Sequence, residues 1–367
     1  MNAPASRRAY LDVLRGVAVL IMIEAHVIDA WTRVADRRSR AFGESLILGG
    51  FGAPLFLFLA GVGVAMSAGS KARRSGDPAA ASLAVQKRGL QIFALAFLFR
   101  VQSYVLGGFT APAWTMLKVD ILNIMGPAMI AAAILWLLGR EARGRIALFA
   151  AATIGIVLMT PVIRSIGALG ALPDPFEAYL RPVPGMNNFT FYPWMAFVMA
   201  GAVVGVLLDA ARTGEADRRA NIALGVGGAV LAIAAYQASF LPPLHPRSAF
   251  WTTSASFFFL RLGLMLVALL LAWLWAQRPT AGRRWRPIQL LGRTSLFVYW
   301  VHVELVYGLI SRPLHGAFSL GAAWLALAVF CALMLGLAVV KQRLADKYFR
   351  PSELREKLDR SVQALMF

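Results

Sequence analysis

Apolar residues gather into long runs along almost the whole chain, at about 13–31, 46–68, 89–107, 119–139, 146–164, 191–210, 221–241, 254–276, 289–311 and 320–340. A run near 20 residues is what a helix needs to cross the hydrocarbon with its backbone bonds satisfied internally. The pattern predicts an all-α polytopic transmembrane bundle of about ten helices. Between the runs lie short stretches with Gly, Pro and charge, such as 71–76, 140–145 and 278–287, which read as loops. The longest connection, 165–190, holds Pro173, Pro175, Pro182 and Pro184 and few charges, and is expected to fold over the outer mouth of the bundle. Asn188, Phe189 and Thr190 match a glycosylation acceptor but lie almost against the next run, so the match is set aside. Past the last run, Leu354, Leu358, Val362 and Leu365 recur at helical spacing among charges. Residues 1–340 are therefore read as the transmembrane domain and 341–367 as an amphipathic tail on the cytoplasmic interface.

Composition agrees with a bilayer as solvent: hydrophobic residues make up 59% and charged residues 15% of 367 positions. The net charge of +19 invites a nucleic-acid reading, but Lys and Arg sit mainly in short connections, as membrane topology demands. Nucleic-acid binding is set aside on that ground. Counting Lys and Arg on alternate sides puts the N- and C-termini in the cytoplasm. The exception is the first outer loop, with Arg33, Arg37, Arg38 and Arg40, read as tolerated there. Arg7 and Arg8 before an apolar run imitate a signal peptide, but Arg15, Glu24 and His26 interrupt that run, which is read as a retained helix. The single cysteine, Cys331, leaves no internal disulfide and no cysteine spacing suited to a metal.

Ionisable side chains inside transmembrane runs are costly unless paired or wetted, so each is a candidate for function. The first run carries Asp12, Arg15, Glu24, His26 and Asp29. On a helix, Arg15 and His26 fall within about 20° of one another and roughly 16 Å apart along the axis, with Asp29 near the same stripe and Glu24 almost opposite. In the ninth run Ser295, Tyr299 and His302 share a face, with Arg293 toward the cytoplasm. Arg100, Asp120, Arg261 and Glu304 fall in outer halves of their runs. This gives two layers: Arg15 and Arg293 suited to gripping a phosphate-bearing donor from the cytoplasm, and His26, His302, Arg100, Asp120, Arg261 and Glu304 beyond mid-membrane. The structural alternative stays open: Arg15 snorkelling, His26 satisfying a carbonyl, Asp120 and Asn123 capping a helix, and Arg100 or Arg261 pairing with Asp120 or Glu304. The glycines of 49–52 and 60–63 read as close helix packing.

The blocks YLDVLRGVAVLIMIEAH (Tyr10 to His26), FGAPLFLFLAG (Phe51 to Gly61), KRGLQIF (Lys87 to Phe93), ILNIMG (Ile121 to Gly126), Pro193-Trp194 and LGRTSLFVYWVH (Leu291 to His302) together resemble the bacterial relatives of heparan-α-glucosaminide N-acetyltransferase. The Arg15 to His26 spacing is also similar to that of the wider transmembrane acyltransferases, including acyltransferase family 3. The resemblance implies transfer of an acyl group, usually acetyl from acetyl-CoA, across a bacterial inner membrane to a sugar amine or hydroxyl outside. By motif match it implies His26 as catalytic residue and Arg15 as the first-helix arginine. Asp29 is a candidate to orient the imidazole, Arg293 to hold donor, and His302, Arg100, Asp120, Arg261, Tyr299 and Ser295 to hold substrate. The animal lysosomal members place the catalytic histidine in the following loop; here 32–45 contains none, which leaves His26. No metal is implied, and a homodimer is left open.

Two other classes fit the buried charges. A proton-coupled transporter or exporter would use them as an ion path, and a non-catalytic membrane subunit would use them as structural glue.

Overall fold

The computed structural model describes residues 8–278 and 286–348; the amphipathic tail expected at 352–367 lies outside the described residues. The helices, in chain order, are α1 (Ala9–Trp31), α2 (Arg40–Gly49), α3 (Gly52–Ser75), α4 (Pro78–Leu106), α5 (Ile121–Leu138), α6 (Ala142–Ser165), α7 (Asp174–Leu180), α8 (Phe191–Ala210), α9 (Gly214–Ala238), α10 (Phe250–Thr253), α11 (Ala255–Ala276), α12 (Pro287–Arg293), α13 (Ser295–Tyr307) and α14 (Leu320–Tyr348). Among the described residues there is no strand, only two isolated bridges, Thr32 with Phe318 and Val119 with Asn187. The fold is the expected all-α polytopic bundle, a multi-pass membrane protein.

Among the described residues, eight helical stretches are long and apolar enough to cross a membrane. The other two apolar runs differ for a physical reason: α1 carries Asp12, Arg15, Glu24 and Asp29 along its length, and the ninth run is broken at Thr294 into α12 and α13. The second run is also broken, at Gly50 and Phe51, so that α2 and α3 are separate helices. The connection between the second and third runs is largely helical. Residues 71–75 continue α3 to a left-handed cap at Gly76 (φ 72°), a conformation glycine adopts without strain. Chain 78–88 belongs to α4, whose start follows from Asp77 accepting from the backbone N–H groups of Ala79 and Ala80, with Pro78 in the first turn.

α1 is the central post. It packs against α2, α3, α11, α12, α13 and α14. Its contact with α12 is backbone to backbone: a Cβ on Gly16 would lie 1.9 Å from the Ile288 carbonyl oxygen, and one on Gly292 would lie 2.0 Å from that of Asp12. α3 and α8 meet in the same way through Gly61 and Gly201. These glycines let bilayer helices approach closely, where packing rather than water expulsion drives association.

At the N-terminal end of α1, Arg8 pairs with Asp217 and donates to the Leu208 and Ala211 carbonyls at 2.7 and 2.6 Å. Tyr10 Oη and Trp273 Nε1 also donate to the Asp217 carboxylate, at 3.0 and 3.1 Å. This knot ties α1 to α8, α9 and α11. At the opposite end three of the four loop arginines have local partners: Arg33 with Asp36 at 3.0 Å, Arg40 with Glu44 at 2.7 Å, and Arg37 with the Asp29 and Thr32 carbonyls at 2.5 and 3.1 Å.

Candidate active site

A cavity of about 1230 Å³ runs along α1, lined by residues of α1 to α5, α11 and α13. Successive helices alternate in direction, so its two ends can be read from the lining. One end has Arg15 early in α1, Lys71 late in α3, Lys87 and Arg88 early in α4, and Ser295 at the start of α13. The other has His26 and Asp29 late in α1, Arg100 late in α4, Asp120 at the start of α5, Arg261 early in α11, and Glu304 late in α13. Among the described residues, the acidic side chains in the lining are Asp29, Asp120 and Glu304, all at the His26 end. The Arg15 end is thus a cationic mouth without a lining carboxylate, and the opposite end is mixed.

His26 lines the cavity, and its ring is joined to His302 behind it. His26 Nδ1 and His302 Nε2 are 2.8 Å apart, and His302 Nδ1 is 2.8 Å from the Val298 carbonyl oxygen. The rings are nearly parallel, at 9°, with centroids 5.0 Å apart. Joined nitrogen to nitrogen, they lie edge to edge in almost one plane rather than face to face. The network fixes the tautomers. A carbonyl only accepts, so His302 Nδ1–H donates to Val298. Neutral His302 then has a bare Nε2, which accepts from His26 Nδ1–H. Neutral His26 is left with its lone pair on Nε2. The edge of Tyr307 packs against the His26 ring at 5.5 Å.

His302 is fully buried and outside the cavity lining, so it meets His26 rather than the cavity. Asp29 lines the cavity, but its side chain is 54% exposed and faces Arg37 at 4.0 Å, while the Nδ1 of His26 is occupied by His302. Arg293 is half exposed, bonds the buried Asp12 carboxylate at 3.3 Å and does not line the cavity; Arg15 lies 3.5 Å from the same carboxylate and does line it. Ser295 and Tyr299 line the cavity on one face of α13. Arg100 pairs with Asp120 at 2.8 Å, and Asp120 also caps α5 with Asn123 in a reciprocal box.

Lys71, Lys87 and Arg88 belong to the cationic mouth but are missed as site residues in the sequence, where 71–76 reads as a loop and 87–88 as the flank of a run. The Asp77–Pro78 helix start is the signal that puts Lys87 and Arg88 inside α4. The 165–190 connection brings Asn188 and Phe189 to the cavity lining, and its Asn187 pairs with Val119. Beside Asp120, Lys118 lies outside the spans. Burial, followed by the charge of Arg100, lowers its pKa below the ordinary lysine value, with Asp120 opposing.

Residues 8–343 match the family model for an acyltransferase domain, acyltransferase 3. The chain belongs to the acyltransferase 3 family. The matched stretch contains the cationic mouth, the His26–His302 pair and the mixed end of the cavity. No curated protein matches the chain. Of the two resemblances read from the sequence, the family match carries the wider one. Membership also puts acyl transfer ahead of transport as the reading of the buried charges. Among the described residues no cluster of His, Cys, Asp or Glu has the arrangement of a metal site.

Proposed function

We propose that this membrane acyltransferase takes an acyl group, acetyl in the simplest case, from acyl-CoA on the cytoplasmic side and delivers it to a sugar amine or hydroxyl outside. The observation that carries the proposal is the cavity itself, with a mouth of Arg15, Lys71, Lys87 and Arg88 at one end and a positioned imidazole beyond it. A donor with several phosphates suits that mouth. Its thioester arm would extend along the cavity to His26. The acceptor would enter at the opposite end, where Arg100 Nε, Arg261 Nε and Glu304 Oε1 are buried without hydrogen-bond partners. The ordered sequence blocks support a glycan acceptor of the heparan-α-glucosaminide N-acetyltransferase kind.

In the direct route, His26 Nε2 takes the proton of the acceptor N–H or O–H as that atom attacks the thioester carbonyl. The imidazolium that forms keeps its Nδ1–H donated to His302. The tetrahedral intermediate then expels the thiolate, breaking the C–S bond, and His26 returns the proton to sulfur. Acylation of His26 Nε2 followed by transfer to the acceptor uses the same bare nitrogen.

The test incubates purified protein with labelled acyl-CoA and candidate sugars, with and without His26→Ala. Label in the sugar with wild type, and its loss in the variant, supports the proposal. Full transfer by His26→Ala would remove His26 from the chemistry, and flux into sealed vesicles without thioester cleavage would favour an exporter.

A further inference from the structure

We infer that the acceptor carries a carboxylate or phosphate, and that Arg261 binds this anionic group; the inference rests on reading the His26 end of the cavity as the acceptor side. Arg261 lies in the second turn of α11 and lines the cavity. Its guanidinium stands over the face of Phe257 at 3.9 Å from the ring centroid and over Phe51 at 5.9 Å. It makes no ion pair or hydrogen bond among the described residues, and its buried Nε has no partner.

That isolation sets Arg261 apart. Arg8 pairs with Asp217, Arg73 with Asp209 at 2.5 Å and Arg100 with Asp120 at 2.8 Å. Arg164 donates to Thr190 and to the Tyr192 carbonyl, and Arg145 to the Trp136 carbonyl. A cation inside a bilayer protein is costly unless an opposite charge, a hydrogen bond or water answers it. Two aromatic faces answer part of the charge of Arg261 and leave its planar donors without an acceptor.

Two of the acidic groups at this end are held by other arginines. Asp120 holds Arg100 and Asp29 faces Arg37, while Glu304 keeps a buried Oε1 without a partner and forms no ion pair with Arg261 among the described residues. Glu24 is buried beside Gly49, outside the cavity lining, and forms no ion pair with Arg261. The donor's phosphates have four cations at the other end. Among the unmet groups at the acceptor end, Arg261 offers a positive charge with a fork of donors, and a carboxylate or phosphate oxygen pair is its geometric match.

The test measures binding of glucose, glucuronate and glucose 6-phosphate to the purified full chain, by calorimetry or ligand-observed NMR. The expected result is that one or both anionic sugars bind at least about tenfold more tightly than glucose. Arg261→Gln should abolish that preference, Arg261→Lys should keep part of it, and Glu24→Gln should leave it unchanged. Affinity for glucose and for acetyl-CoA should be unaltered in Arg261→Gln, which controls for folding. If that variant does not fold, the partial loss in Arg261→Lys decides the matter. No preference in wild type, a preference that survives Arg261→Gln, or loss of acetyl-CoA affinity instead would each overturn the inference. Binding is read without turnover, so absent acyl transfer would count against the proposed function and leave this inference standing.

Discussion

His26 Nδ1 and His302 Nε2 meet at 2.8 Å across 276 residues of sequence, and the second nitrogen of His302 is held by the Val298 carbonyl. In the proposed chemistry this chain of hydrogen bonds leaves the lone pair of His26 Nε2 to act as the base. His302 is thus a positioning residue in the proposed chemistry. His302→Leu should lower kcat about 100-fold while donor KM changes little. His302→Gln, which restores an acceptor for His26 Nδ1–H, should recover part of the loss. Equal rates for the two variants would show that the hydrogen bond is immaterial.

Gly61 and Gly63 lie two residues apart on α3, about 200° around the helix, and should behave oppositely. A Cβ on Gly61 would strike the Val198 carbonyl oxygen at 1.9 Å, whereas one on Gly63 meets nothing within 4 Å and faces the cavity. Gly61→Ala should lower stability by about 1–3 kcal/mol, seen as a reduced Tm in detergent. Gly63→Phe should leave Tm nearly unchanged yet cut acyl transfer about tenfold or more by obstructing the passage. A normal rate in Gly63→Phe would mean that the donor does not pass this point.

Asp217 anchors four partners at the other end of α1: Arg8, Tyr10, Trp273 and, through its backbone carbonyl, Asn221. Asp217→Ala leaves Arg8 uncompensated in a partly buried place and should cost about 2–3 kcal/mol. Thermal unfolding followed by tryptophan fluorescence checks it. A Tm within a degree of wild type would contradict the anchoring role.

Lys118 provides a titration. Burial and Arg100 favour its neutral amine, so its charge is lost at lower pH than that of a free lysine side chain. Competitive acylation with acetic anhydride over a pH series should give Lys118 a midpoint below that of the free side chain. Arg100→Gln should move it upward by removing the second cause. A midpoint at or above the free value would refute the assignment.

The apolar runs made most of the fold legible, because each is long enough to declare itself a helix without its neighbours. The Arg15–His26 stripe was legible too, since helical periodicity alone puts both on one face. What the sequence hides is partnership. Arg15 and Arg293 read alike as donor-gripping cations, yet Arg293 bonds Asp12 outside the cavity while Lys71, Lys87 and Arg88 complete the mouth. Asp29 reads as the group nearest His26, yet it turns to Arg37, and the ring partner comes from α13. Asp217 sits in an ordinary charged helix start, and nothing local shows that Arg8 lies beside it. Such pairings depend on which helices are neighbours, and one sequence carries periodicity but not adjacency. The breaks at Gly50 and Thr294 were missed because hydropathy continues through them.

The glycine contact of α1 with α12 has a consequence for biosynthesis. α1 carries Asp12, Arg15, Glu24, His26 and Asp29, and α12 and α13, which pack against it, are made long after it. At 5–20 residues per second, the 276-residue interval between His26 and His302 is roughly 14–55 s of elongation. Through that time the nascent first helix is without Ile288 beside Gly16 and without the ring that sets the tautomer of His26. A chain stalled before the ninth apolar run therefore holds His26 without the partner of its Nδ1. In the proposed chemistry the His26–His302 pair exists only once α13 has been made, so a chain that stops before it would be expected to lack activity.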